Sequence, residues 1–292
     1  MDPWRDIEAA IREAIAAPFS IESRAVSGGG CINECHIVRG QGRAYFVKLN
    51  APDKAQMFSA EAAGLDEIGR TQTVRVPRPV CHGACPAASW IVLEHLELKP
   101  ADDRGMRALG SSLARLHRVT SRRYGWSRAN TIGSTPQINT PGDDWILFWR
   151  ERRLGFQLGL ATAKGHGRLV ASGERLMERL PALFEGYSPS PSLLHGDLWS
   201  GNAAMTAGGE PVIYDPAVYY GDREADLAMT ELFGGFPQSF YDAYRADYPL
   251  DAGYGTRKHL YNLYHVLNHL NLFGGGYGAQ AERMIEQLLA VA

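Results

Sequence analysis

The chain has little that would tie it to a membrane, a nucleic acid or an oxidising compartment. No apolar run approaches the length that crosses a bilayer. The first twenty residues, MDPWRDIEAAIREAIAAPFS, scatter acids and bases among apolar positions. They predict an amphipathic helix and lack the unbroken apolar centre of a secretory leader, so a cytoplasmic address is expected. Neither sign of charge dominates: 30 Lys and Arg stand against 32 Asp and Glu, a formal net charge of −2. Such balance gives no general attraction for nucleic acid or for an anionic membrane surface, and neither partner is expected. Internal repeats and low-complexity tails are missing as well. Cysteine is scarce, with four in 292 residues. They fall as Cys31/Cys35 and Cys81/Cys85, each C-x-x-x-C, a pattern that in a cytosolic chain raises metal or redox chemistry before disulfides. Zinc knuckles use a tighter C-x-x-C, and residues four apart along a strand are too far separated to chelate. Ordinary reduced thiols are therefore the expected state.

What is present is a chain that can bury a core, 45% hydrophobic and 21% charged, and longer than one average domain. Its first third alternates strand and turn signals. SGGG (27–30) and GQG (40–42) are turns, CHIV (35–38) and AYFVKLN (44–50) are strands, and residues 53–69 carry apolar positions at helical spacing. VRVPRPV (74–80) is held extended by its prolines, and SWIVLEHLEL (89–98) predicts a buried strand running into an acidic connector. From about residue 99 the pattern becomes helical. It begins with 101–119, acidic in its first turn and basic in its last, and continues with 144–161 and 167–180. Short strands interrupt around LHGDLWSGNAAM and PVIYDPAVYY before four more helical stretches reach the C-terminus. The expected fold class is α+β in two lobes: residues 1–98 as a small antiparallel-sheet lobe and 99–292 as a larger helical lobe. A ligand is expected in the crevice between them.

LLHGDLWSGN (193–202) carries the chemistry. His195, Asp197, Leu198 and Asn202 fit H-x-D-L-x-x-x-N, the spacing of a kinase catalytic loop. An aspartate on a short rigid loop can accept the proton of an attacking hydroxyl. An asparagine five residues on can place an amide oxygen on Mg²⁺, a hard cation that prefers oxygen ligands. The loop makes demands on the rest of the chain, and the chain supplies candidates in the right order. Asp215 in PVIYDPA is a second metal ligand, Lys48 in YFVKLN a phosphate-binding lysine, and Glu61 in FSAEAAGL the carboxylate that holds it. Gly28, Gly29 and Gly30 form a turn whose N–H groups can approach phosphates. Each residue alone has an ordinary reading, such as a solvated lysine, an exposed helix carboxylate or a hairpin turn. One phosphoryl-transfer site explains them together, with ATP and Mg²⁺ as the implied cofactors.

With LLHGDLWSGN, the segments GGGCINE, YFVKLN, FWRERRL and DPAVYYGDREADLAMTELFGGF closely resemble the fructosamine-3-kinase family, over nearly the whole chain. This family shares the protein-kinase-like fold with aminoglycoside and choline kinases. The resemblance implies ATP-dependent phosphorylation of the sugar 3-hydroxyl of ketosamines, small molecules or glycated amines whose 3-phosphates shed the amine. It makes Asp197 the catalytic base, Asn202 and Asp215 the Mg²⁺ ligands, and Lys48, braced by Glu61, a contact to the nucleotide phosphates under Gly28–Gly30. It makes LEHLE (93–97) the hinge, with backbone groups at Glu94 and Leu96 meeting adenine. Trp199 would stack on the sugar, while Asp226 would pin the loop from below and His195 and His117 would brace. Cys31, beside the glycine turn, becomes a candidate redox switch.

Two departures stand out. Asp222 occupies a position where histidine is expected in many relatives, so its charge is expected to bear on substrate preference. DPA replaces DFG and no activation-loop motif follows, which disfavours a Ser/Thr protein kinase. Alternatives are a kinase for an aminoglycoside, choline or a thio-sugar, a nucleotide-binding regulator without catalysis, and a cysteine-rich metal module. The sugar and amine, and the choice of monomer or homodimer, stay open.

Overall fold

The computed structural model describes residues 2–28 and 32–292. Its first part is a five-stranded antiparallel sheet between two helices. The strands are β1 (Ser23–Val26), β2 (Glu34–Gly40), β3 (Arg43–Asn50), β4 (Pro79–Ala84) and β5 (Ser89–Glu94), in the order β1-β2-β3-β5-β4. Because side chains alternate across a strand, β3 sorts its residues to two faces. Tyr45, Val47 and Leu49 pack with Val92 and Trp90 under α1 (Trp4–Ile15), whose Ile7 and Ile11 are fully buried. Phe46 and Lys48 point the other way, where α2 (Ala55–Arg70) lays Phe58, Leu65 and Ile68 against Ile91 and Leu93. The predicted strands and helices of this part are all found, and α1 is built into it.

The chain then forms the short strand β6 (Leu98–Lys99) and α3 (Asp103–Leu116), capped by the Asp102 carboxylate, which accepts from Gly105 N at 2.8 Å. The hairpin β7 (Asn130–Ile132) and β8 (Thr135–Gln137) follows, and the sequence pattern gave no sign of it. The single helix expected over 144–161 is three pieces: α4 (Trp145–Trp149), a π-helical segment (Arg150–Gly155) and α5 (Phe156–Ala163). The wide turn needs Gly155, since a Cβ there would lie 2.8 Å from Arg150 O. Next comes α6 (Gly167–Leu183), then β9 (Ser192–Leu194), β10 (Ala203–Thr206), β11 (Pro211–Ile213) and β12 (Tyr219–Gly221). The chain ends in α7 (Glu224–Leu232), α8 (Gln238–Asp247), α9 (Tyr254–Phe273) and α10 (Tyr277–Leu289). One apolar core runs from α2 through α3 to α9 and α10, so the second part is packed directly against the inner face of the sheet.

Two antiparallel pairings enclose residues 195–218. β9 pairs with β12, setting Leu194 opposite Tyr219, and β10 pairs with β11, setting Ala203 opposite Ile213. The second hairpin brings Asn202 and Tyr214 side by side, with Tyr214 N donating to Asn202 O at 3.1 Å. The twelve residues of sequence between Asn202 and Asp215 thereby fold back to bring the two to neighbouring positions. No helix among the described residues is long and apolar enough to cross a membrane.

Candidate active site

Lys48 is the centre of the arrangement. It is only 4% exposed, and its Nζ lies 2.6 Å from Glu61 Oε1 and 2.5 Å from Asp215 Oδ1. Burial works against its charge, yet the Asp215 and Glu61 carboxylates outweigh that and hold its proton more tightly than a free lysine would. Burial pushes the Glu61 carboxyl up despite the neighbouring ammonium. Asp215 is the other kind of residue, its side chain 45% exposed, one oxygen on Lys48 and the other without a partner among the described residues. Its φ of +58° is rare outside glycine, though aspartate tolerates it better than most residues.

The loop from His195 to Asn202 is held from beneath. Asp226, near the start of α7, accepts from His195 N at 2.7 Å, Gly196 N at 2.8 Å and His117 Nε2 at 3.2 Å. Burial opposes its ionisation, but the His117 ring, the His195 ring and the Gly196 amide hold its carboxyl below the usual range. Gly196 takes φ +83°, and a Cβ there would meet Ala217 O at 2.2 Å, so only glycine lets the two loops close. His195 is fully buried, its Nε2 2.9 Å from Tyr214 O and its Nδ1 accepting from Asp197 N at 3.3 Å. Burial lowers its proton affinity, so the ring stays neutral with its proton on Nε2. It braces two loops and has no spare atom for acid–base work. His117 likewise spans Tyr244 and Asp226.

Asp197 emerges at the cleft with few donors. Asn202 Nδ2 reaches its backbone oxygen at 2.8 Å and its Oδ2 only at 3.4 Å. Burial, then the charges of Asp215 and Asp226, push its carboxyl up to about 7, against the pull of the Asn202 amide. Since the Asn202 amide nitrogen is committed to Asp197, its Oδ1 has no donor among the described residues. An amide oxygen and a half-exposed carboxylate are the hard oxygen donors a magnesium ion accepts. The residues present fit that ion.

The other predicted positions divide. At the hinge, Glu94 N already donates to Arg78 O at 2.9 Å, and its side chain turns away to Arg75 at 2.7 Å. The Glu94 amide is therefore taken, which leaves its carbonyl and the Leu96 backbone as the groups expected to meet a nucleotide base. Trp199 is 37% exposed, edge-on to Phe233 at 6.3 Å, and Phe233 continues to His269 at 4.9 Å. Phe233 and His269 escaped the sequence reading, having no spacing that marks them. Gly28 is exposed; Gly29, Gly30 and Cys31 lie outside the described residues. The expectation for Asp222 is corrected. It is 0% exposed and accepts from Tyr187 at 2.9 Å and Tyr261 at 2.5 Å, so its charge serves the interior. Cys35, Cys81 and Cys85 are free thiols, and burial pushes Cys81 up to about 12.

A family model described as fructosamine kinase matches residues 3–291. The chain belongs to this family. Among its relatives, a Synechocystis sp. protein named probable ketoamine kinase is 48% identical over 290 residues, covering 99% of this chain and 98% of its own. The chloroplastic protein-ribulosamine 3-kinase of Arabidopsis thaliana is 46% identical over 267 residues, 90% of this chain and 81% of its own. A crystal structure of a Haemophilus somnus protein, whose name assigns it to the fructosamine-3-kinases, superposes with a TM-score of 0.90. It is 29% identical, covering 98% of this chain and 97% of the other. Choline kinase LicA from Streptococcus pneumoniae, 15% identical with a TM-score of 0.65 and covering 98% and 99% of the two chains, shares the fold. This fructosamine kinase family member therefore has the two-lobed protein-kinase-like fold.

Proposed function

We propose that this protein transfers the γ-phosphoryl group of ATP to the sugar 3-hydroxyl of a ketosamine. The observation that carries phosphoryl transfer is Lys48 clamped between Glu61 and Asp215, one hairpin away from Asp197 and Asn202. Family membership and the ketoamine and ribulosamine named for its relatives favour the ketosamine acceptor. Residues 1–98 form the nucleotide-binding lobe and 99–292 the catalytic and substrate lobe in this reading.

The roles in this reading are as follows. Lys48 exchanges its bond to Asp215 for one to the nucleotide phosphates and keeps Glu61 as its anchor. Gly28–Gly30 cover the phosphates, while the Glu94 carbonyl and Leu96 amide take the adenine edge. Asn202 Oδ1 and Asp215 would hold Mg²⁺, which when bound would supply charge neutralisation at the phosphates. Asp197 accepts the proton of the 3-hydroxyl as its oxygen bonds to the γ-phosphorus and the bond to the ADP oxygen breaks. Trp199 offers its indole to the sugar. Catalysis then comes mainly from positioning and electrostatics. The address proposed with this reading is cytoplasmic.

An ATP-consumption screen over fructosamines, ribulosamines, an aminoglycoside and choline, with Asp197→Asn as the blank, tests the reading. Mg²⁺-dependent ADP release with a ketosamine alone is the expected result. Turnover of only choline or the aminoglycoside would overturn the acceptor, and equal turnover by the blank would overturn the assignment of the base.

A further inference from the structure

A chain of buried polar side chains runs from the π-helical segment to the turn after Asp215, and none of them belongs to the site described above. It starts at Arg153, 0% exposed, with no carboxylate partner among the described residues. Its Nη1 donates to Ile138 O and its Nη2 to Asn139 Oδ1, each at 2.8 Å, and its guanidinium stacks 4.1 Å from the Tyr219 ring centre. An arginine only donates, so Asn139 must turn its oxygen toward it. The Asn139 amide then donates to Asn130 Oδ1 at 2.8 Å, and the Asn130 amide to Val218 O at 2.8 Å. Gln137 is fixed in the same way. Tyr264 donates to its Oε1 at 2.9 Å, leaving Nε2 for Asn130 Oδ1 at 2.8 Å and Ala217 O at 3.0 Å. Every amide in the chain has its orientation dictated, and both branches end on the carbonyls two and three residues past Asp215.

Packing alone does not account for this. An apolar hairpin of the same shape would avoid the desolvation of an arginine and three amides. The turn it grips is the one that needs support, because Asp215 sits at φ +58° with an exposed carboxylate. We propose that Arg153, Asn139, Asn130, Gln137 and Tyr264 form a positioning clamp that presets Asp215 for the divalent cation. They are positioning residues, each of them buried. The proposal rests on the reading of Asp215 as a metal ligand.

The test reads metal affinity rather than turnover. Mn²⁺ serves as the probe, its binding to the ADP-saturated protein followed by electron paramagnetic resonance, with metal-free ADP affinity and melting temperature measured alongside. Gln137→Met keeps the side chain's length and removes its donor. It is expected to weaken Mn²⁺ about tenfold while metal-free ADP binding stays unchanged, the scale on which partners of metal ligands act. Tyr264→Phe, which frees Gln137 to rotate, should weaken Mn²⁺ by a smaller factor and decides the matter alone if Gln137→Met fails to fold. A variant that melts like wild type and binds Mn²⁺ with wild-type affinity overturns the clamp. Asp215→Asn separates the two readings: Mn²⁺ lost there but unchanged in the clamp variants sinks the clamp only. Normal Mn²⁺ binding in Asp215→Asn sinks the metal assignment itself.

Discussion

Asp226 and Asp197 lie at opposite sides of one three-residue turn, and the protein treats them in opposite ways. Asp226 collects two backbone amides and the His117 ring, and its carboxyl is held below the ordinary range although burial opposes this. Asp197 receives one distant amide from Asn202, and burial with two neighbouring acids pushes it up to about 7. Burial is common to both, so the supply of donors decides. Donors go to the support, and the group facing the cleft goes short. A carboxylate starved in this way has a proton affinity near neutrality, where a general base is most effective.

The comparison is broken most directly at Asp197. Asp197→Asn preserves shape and removes the base, so kcat should fall by about 10³-fold, within the span that general-base removal produces. ADP affinity, measured by calorimetry, should stay at the wild-type value. Retention of more than a tenth of the activity would mean that Asp197 is not the proton acceptor. Asp226→Ala attacks the other side. It strands two amides and a histidine in the interior, and urea unfolding should report a loss of about 3 kcal/mol, the scale of breaking a buried charged network. Activity should fall with it because the loop loses its floor. A variant as stable as wild type would show that the turn holds itself.

The same contrast explains what the sequence disclosed. The catalytic loop, Asp215, Lys48 and Glu61 were legible because a fixed spacing in one loop predicts partners in a known order along the chain, and hairpin pairing does bring them together. The helices and the first sheet were legible from periodicity, α2 and β3 being clear cases. At the expected hinge, Glu94 came from the family resemblance alone, and nothing in the sequence reveals that Arg78 O already occupies its amide. Asp222 misled because a charge in a sequence gives no sign of two tyrosines waiting for it in the interior. The π-helical turn and the β7–β8 hairpin were invisible for a related reason. Their polar residues satisfy one another across distant segments, and no local pattern encodes such pairing.

The smallest expected effect is the sharpest on donor supply. A carboxyl whose folded-state proton affinity is raised keeps its proton where the unfolded chain has lost it. Between the ordinary value of about 4 and its folded value of about 7, native Asp197 binds the extra proton, so stability falls as pH rises through that window. Above it the ionised, under-bonded group costs the fold its full penalty. Asparagine is neutral throughout. Asp197→Asn should therefore melt a few degrees above wild type at pH 8, with the gap narrowing as the pH drops toward 5. Asp226 has the opposite sign, its stabilisation being lost only as pH falls through its depressed folded value, below this window, so it leaves the trend intact. A gap that stays constant across the window, or a variant that melts below wild type at pH 8, would mean that Asp197 is not short of donors and that the two aspartates do not differ in the way their contacts imply.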